Sequence, residues 1–506
     1  MRNASTGISR SFALGIGLRF EIEFVRLGRG GGVQHPRVWN ANASFSWRST
    51  DDYSGLRDND RCMTNVGRRE FLSALGLAAS ALCAQETKPD YTLRIGPVTV
   101  EPRPGKTFRT TGYNGSSPGP LIRVREGAAV TIDLTNESSL PELVHWHGLR
   151  ARSEVDGAME EGTPMLMPGK SARYSFTASP AGTRWYHSHG MAGSHLDRAT
   201  YSGQYGFFVI DAARDAGAYD REVFLSLKEW DGYLSLMGDE DGFMEVAYKY
   251  ATINGRSLGY GDPIPVKAGE RVLLRILNAS ATMHRRIAMA GHTFLVTALD
   301  GNRLAAPKES AVLEMGPAER IDAIVEMKNP GVWILGSTDD KERADGLGIV
   351  FEYSGASGEP KWTPASTAVW NYAAFGNAGV EAGAGEPLPI VFENRFVGRR
   401  QPDHWMVNGK AWPKTDPLRV RKDGRYRLVF DNRSDEAHPV HLHRHTFEIA
   451  KIAGAPTSGV FKDVVVVGAK SQMEVLLIAD NPGKTLFHCH QQMHMDQGFM
   501  ALMKYV

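Results

Sequence analysis

Cysteine is nearly absent from this chain, with Cys62, Cys83 and Cys489 the only three in 506 residues. A disulfide-stapled fold is therefore excluded. Excess charge of one sign is absent too, since 23% charged residues sum to a net +1. That excludes the long-range field that nucleic acid or an anionic membrane surface would need, and leaves small-molecule chemistry. Among apolar stretches, the run after Gly67-Arg68-Arg69-Glu70-Phe71-Leu72-Ser73 ends by Ala84, too short to span a bilayer. Its basic start, short apolar middle and small residues before Gln85 read as a twin-arginine export signal over 63–84. Met63 is then the expected start, with 1–62 a disordered upstream extension, and the glycine-rich run at 28–32 is no phosphate loop. Removing everything before Gln85 leaves Cys489 alone, its thiol free for a metal.

The length suits about three domains, and internal spacing supports that number. Asn114-Gly115, Asn254-Gly255 and Asn408-Gly409 are each followed by a Val-x-x-Gly or Val-x-x-x-Gly turn and then by Asn136, Asn278 and Asn432. Between these marks lie short alternating runs such as Val130–Leu134 and Arg425–Phe430, the pattern of antiparallel sandwiches. The Asn-x-Ser triplets at the three later asparagines are repeat positions rather than glycosylation sites. The repeats span 90–213, 214–354 and 386–506, with a Gly/Ala/Pro/Thr-rich connector at 355–385.

Histidine is concentrated where the repeats match. Ten of the 16 histidines fall in four stretches: His145-Trp146-His147, His187-Ser188-His189, His438-Pro439-Val440-His441-Leu442-His443, and the run from His488 to His494. Counting from Asn136 and Asn432 gives His145/His147 and His441/His443; counting from Asn278 gives Ile287 and Met289. Downstream, His187-Ser188-His189 and His488-Cys489-His490 correspond to Gly336-Ser337-Thr338. Metal chemistry thus belongs to the outer repeats, and the middle one is a spacer or a wall for the substrate pocket. On a strand, His488 and His490 share one face and Cys489 the other, so two metal centres can lie on either side of one strand. A thiolate with two imidazoles selects copper or zinc.

These motifs resemble the multicopper oxidases, specifically the three-domain, laccase-like bacterial members, over 90–506. The resemblance implies an all-β chain of three consecutive cupredoxin-like Greek-key sandwich or barrel domains. It implies a type 1 copper on His438, Cys489 and His494, a type 2 copper on His145 and His441, and a type 3 pair on His147, His187, His189, His443, His488 and His490. His445 is outside the ligand set, and Arg444 stands where the family has glycine. Asp156 is placed as the carboxylate beside the type 2 copper, with a turn aspartate before Gly157 as the plain alternative. Gln491 and Gln492 occupy the region of a second carboxylate, leaving Asp496 as its substitute. Counting from Cys489 puts Phe499 at the axial position of the type 1 copper. A reductant would deliver electrons near an exposed His494 or His438, through Cys489 to His488 and His490, where O2 becomes water. The expected activity is oxidation of phenols or aromatic amines by a periplasmic or secreted monomer. The alternative is a Cu(I), Fe(II) or Mn(II) oxidase, for which Met237, Asp239, Glu240, Asp241 and Met244 could serve.

Overall fold

The computed structural model describes residues 88–212, 219–237, 243–363, 369–398 and 401–506, together with three strands further upstream. Two compact units divide the chain, Met1–Glu86 and Thr87–Val506. In the first, Ile8–Leu14, Leu18–Phe24 and Ala41–Ala43 form an antiparallel sheet. Within the expected extension at 1–62, Leu18-Arg19-Phe20-Glu21-Ile22-Glu23-Phe24 alternates at strand period. The export signal at 63–84 lies outside the described residues.

Within Thr87–Val506, every sheet draws its strands from one of three segments, 91–211, 221–353 or 386–505. Each segment contributes two sheets. The middle and third segments share one continuous apolar cluster, which includes Leu274, Phe351, Phe430 and Cys489. The first has its own, around Ile132, Trp146 and Phe208.

The sandwiches are not purely antiparallel, contrary to the reading from alternation. Each contains two parallel pairs: Tyr91–Arg103 with Ala129–Asn136 and Ile122–Arg125 with Tyr205–Asp211 in the first. The same two recur in the middle segment and in the third. Alternation reports which face of a strand is buried and is blind to the direction of its neighbour. A chain that crosses from one sheet to the other between strands can return parallel.

The repeat landmarks have a common physical basis. Asn114, Asn254 and Asn408 hold φ of 52, 53 and 51°, and the glycines after them 77, 81 and 76°. Left-handed backbone at two successive positions is what a two-residue hairpin turn demands, and Asn-Gly is the pair that tolerates it. Asn136, Asn278 and Asn432 are buried. Each carboxamide Nδ2 donates to loop carbonyls, those of Leu140 and Leu166, Met283 and Met315, and Glu436 and Gly468. Each Oδ1 accepts from the N–H two residues on, at Ser138, Ser280 and Ser434. The Asn-x-Ser triplets are therefore internal turns.

Candidate metal centre

Strand register brings the histidines together. Val144–His147 runs antiparallel to Gly182–Ser188, setting His145 opposite His187. In the third segment His438–Leu442 pairs with Thr485–Cys489, setting His441 opposite His488 and Val440 opposite Cys489. Side chains directly opposite share a face. His441 and His488 therefore look one way, and His438 and Cys489 the other. The first and third segments meet imidazole on imidazole: His145 stacks on His443 at 3.9 Å between centroids, and His147 on His441 at 3.8 Å.

The ring nitrogens separate into held and unheld atoms. Nδ1–H of His145 donates to the Asp156 carbonyl at 2.9 Å and that of His441 to the Asp463 carbonyl at 2.7 Å. Nδ1 of His187 and of His488 donate likewise to the carbonyls of Ser188 and Cys489. These bonds fix the tautomer and leave Nε2 with a lone pair. Nε2 of His145, His189 and His441 and both nitrogens of His490 are buried with no partner. His443 Nε2 faces His488 Nε2 at 3.1 Å, and His187 Nε2 faces His147 Nδ1 at 3.4 Å. Ligand atoms of His145/His441/His443, of His145/His147/His187 and of His189/His443/His488 each lie within 4.8 Å of one another. Burial, with neighbouring imidazoles second, holds His443 and His488 well below the usual imidazole range. His189 is pushed down to about 3, by burial first. Neutral rings with converging, unheld nitrogens fit bound metal ions.

Across the strand, Cys489 Sγ lies 3.7 Å from His438 Nδ1 and 3.6 Å from His494 Nδ1, the two nitrogens being 3.2 Å apart. His494 arrives from a short helix, Gln492–Asp496, that follows the strand. The outer nitrogens are held by Ser434 Oγ, 2.7 Å from His438 Nε2, and by Glu436 Oε2, 3.3 Å from His494 Nε2. Trp405 packs against both rings, at 4.6 and 4.2 Å. His438 and His494 are 0% and 1% exposed, which corrects the expectation of an exposed type 1 histidine. Glu436 and Trp405 cover the edge that a substrate was expected to touch.

Register also separates Phe499 from Met500. Met500 sits opposite His488, on the face turned away from Cys489, and packs with Ala158, Leu486 and Met495. Phe499 belongs to the apolar cluster of Cys489, its ring 5.0 Å from that of His438.

The carboxylates differ from expectation. Asp156 does terminate a turn, and Gly157 follows at φ 98°, where a Cβ would come within 1.8 Å of the Val144 carbonyl oxygen. Its side chain nevertheless reaches the cluster, with Oδ2 2.9 Å from His443 Nδ1 and 3.2 Å from His145 Nδ1. Asp496 does not join it. Its oxygens accept from the N–H groups of Ala192 and Gly193 and from Gln492 Nε2, bracing the loop after His189. The second carboxylate is Glu161, which sequence reasoning passed over. It lies 3.5 Å from His443 Nδ1 and accepts from the Leu486 N–H. Burial, with the Asp156 charge second, pushes its carboxyl well up. Asp463 was also missed. Its Oδ1 meets His147 Nε2 at 3.1 Å, and Arg184 and Arg320 hold its other oxygen. The sole signal for it was a charged Lys462-Asp463 pair leading into four valines.

Arg444 takes φ of 61°, the conformation for which the family position uses glycine. Its buried guanidinium donates to Ala151, Lys484 and Pro482 carbonyls and to Thr485 Oγ1, tying the first segment to the third. His445 stays outside the cluster, bonded to the His443 carbonyl and to the Tyr505 hydroxyl. Residues 239–241 of the Met/Asp/Glu loop lie outside the described residues.

Family models described as multicopper oxidase match residues 94–215, 235–353 and 387–506. The multicopper oxidase MmcO of Mycobacterium tuberculosis is 32% identical over 86% of this chain and 91% of its own length. A laccase from Botrytis aclada superposes with a TM-score of 0.69 at 21% identity, over 82% of this chain and 87% of that one. A multicopper oxidase from Campylobacter jejuni, described as a metallo-oxidase, gives 0.65 at 21% identity, over 84% and 93%. The solved structures carry the cupredoxin-like architecture, and the sequence matches carry the kinship: this chain belongs to the multicopper oxidase family and is an oxidoreductase that uses copper.

Proposed function

We propose that the protein is an exported, laccase-like oxidase that takes single electrons from phenols or aromatic amines and reduces O2 to water. The observation that carries this reading is the position of Cys489. It belongs to one donor set, while His488 on one side of it belongs to the other and the ring of His490 on its other side lies 5.1 Å from that of His187. Copper supplies one-electron oxidation at the first set and four-electron reduction of O2 at the second. The residues present fit four coppers per chain: type 1 on His438, Cys489 and His494, type 2 on His145 and His441, and a type 3 pair on the other six histidines. The His2Cys set suits a blue copper site, and Phe499 in place of a thioether gives it an apolar cap. Asp156 orients two imidazoles at once, and Glu161, its carboxyl pushed well up by burial, stands beside His443. Asp463 fixes His147 through its outer nitrogen. The test is stoichiometry. Four coppers per chain and four phenol equivalents consumed per O2 without peroxide are expected; one copper or zinc per chain would sink the reading.

Arg68-Arg69 and the short apolar run after it support export by the twin-arginine route to the periplasm or medium. Replacing both arginines by lysine should then retain the protein in the cytoplasm; unchanged export would refute this route.

A second reading, oxidation of a metal ion, is favoured by one observation. Glu436 is the partly exposed group on His494, and Glu245 stands close enough that the Glu436 charge, after burial, helps push its carboxyl up. A cation could dock on these two carboxylates, beside an imidazole that is itself buried against Trp405. Turnover of Cu(I) or Fe(II) that falls in Glu436→Gln, with phenol turnover kept, would support it; equal loss of both would not.

A further inference from the structure

A cavity of about 680 Å³ lies where all three segments meet, and none of the copper donors lines it. Pro180, Ala181 and Ile210 come from the first segment, Leu273, Leu295 and Ile324 from the middle one, and Thr446 and Phe461 from the third. The volume falls within the range of small-molecule sites.

The floor is one face of a middle-segment sheet. Strands Arg271–Asn278, Arg320–Glu326 and Phe294–Leu299 lie side by side in that order, and residues two apart on a strand share a face. Register sets Ile324 opposite both Leu273 and Leu295, so these side chains form an apolar stripe about 10 Å wide across the three strands. About 7 Å along the strands in one direction the row is Arg275 opposite Asp322, and in the other it is Arg271 opposite Glu326. Two charged rows thus border the stripe, and they differ.

The row at Arg275 is closed. Its guanidinium bonds to Asp322 Oδ2 at 3.0 Å, to Thr183 Oγ1 at 2.7 Å and to Glu222 Oε1 at 2.7 Å. Other carboxylates of the walls are held as well, Asp211 by the Arg123 fork and Glu126 by the Ala181 N–H. The row at Arg271 is open. Glu326 pairs with Lys328 instead, and the half-buried Arg271 guanidinium has no hydrogen bond or ion pair among the described residues. A cation withdrawn from water without a counter-charge costs free energy, which a carboxylate matching its fork with two parallel hydrogen bonds offsets. Phe461, 44% exposed, adds an aromatic ring to the wall.

We propose that this cavity binds an aromatic carboxylate, its ring on the stripe of Leu273, Ile324 and Leu295 beside Phe461 and its carboxylate on Arg271. A ligand so placed binds only where the segments are docked, and it therefore stabilises their assembly. The site needs neither copper donor set.

The test is calorimetric titration of the copper-loaded enzyme with cinnamate, which has a ring and a carboxylate but no phenol hydroxyl or amine to be oxidised. One site per chain is expected. Kd should rise at least about tenfold in Arg271→Gln, which removes the charge-assisted bonds, and in Leu295→Glu, which sets a like charge in the stripe. Cinnamyl alcohol, the same skeleton without the charge, should bind the parent at least about tenfold more weakly than cinnamate. Cinnamate should also raise the thermal midpoint of the parent and leave that of Arg271→Gln unchanged at the same concentration. Arg271→Gln breaks no hydrogen bond or ion pair within the described residues, so its midpoint without ligand should match the parent; copper content matched to the parent shows that Leu295→Glu is folded. No binding to the parent, an unchanged Kd in either variant, or cinnamyl alcohol bound as tightly as cinnamate overturns the inference.

Discussion

The middle repeat and the two outer ones share a frame and differ in what they hang on it. All three have the left-handed Asn-Gly turn, the buried asparagine and two parallel strand pairs. At the offset where the outer repeats carry imidazoles, the middle one carries Ile287 and Met289, buried with Met315 and Leu335 in hydrocarbon. Its register is also displaced. Ile287 pairs with Ser337, whereas counting from the glycine landmark assigns it Gly336. The comparison teaches that the sandwich is indifferent to metal, and that chemistry enters through a few side chains facing a second sandwich. An outer repeat alone would not suffice, since His145 needs His443 and His147 needs His441.

The sharpest way to break the comparison is to make the third repeat resemble the middle one. His441→Ile with His443→Met should remove copper from the histidine cluster and abolish oxidase activity while sparing the Cys489 set. Metal analysis with optical and paramagnetic spectra reads both outcomes, and full copper retention would show that these rings are not ligands.

Glu142 marks a second contrast, because it is a buried carboxyl at the position where the other repeats have histidine. Burial is the main cause that pushes it up to about 7, against the hydrogen bonds from Gln204 and Ser188. A carboxyl raised in the fold favours the folded state while it is protonated. Its contribution is therefore complete below the ordinary carboxyl value and is lost as pH rises towards 7. The loss is on the order of 3 kcal/mol at 1.36 kcal/mol per pKa unit, from the ordinary 4.5 to about 7. Thermal midpoints of copper-free protein should fall over that window, and Glu142→Gln should flatten the fall.

Where the repeats agree, mutations should agree. Asn136→Ala, Asn278→Ala and Asn432→Ala each strand buried loop carbonyls, at a cost of about 2–3 kcal/mol. Denaturation that singles out one repeat by several kcal/mol would show that the asparagines are not equivalent. The smallest effect concerns the apolar cap: Phe499→Met should lower the type 1 potential by supplying a thioether. Met500→Leu should not change it, since Met500 faces the other side. A potential raised by Met500→Leu would reverse that assignment.

Much of this was legible because strands write their facing in period two. His488-Cys489-His490 announced two faces, and the asparagine spacing announced three repeats. Glu161 and Asp463 were illegible for the opposite reason. They reach the histidines across segment boundaries, from a 3-10 turn at Met159–Glu161 and from the start of a valine strand. No local periodicity marks a residue whose partner is some 280 positions away in sequence, as for His443 and Glu161. Asp496 misled because proximity in sequence to His494 stood in for proximity in space. Arg444 shows a related limit, in that side-chain bonds secure a backbone shape that composition would assign to glycine.

The central claim is that one strand carries two copper centres on opposite faces, joined through Cys489. Copper analysis with visible absorption of Cys489→Ser tests it most directly. The account predicts loss of the intense blue thiolate band and of one copper, with three coppers kept at the histidines and oxidase activity gone. Loss of all four coppers together, or a blue band that survives, would contradict it.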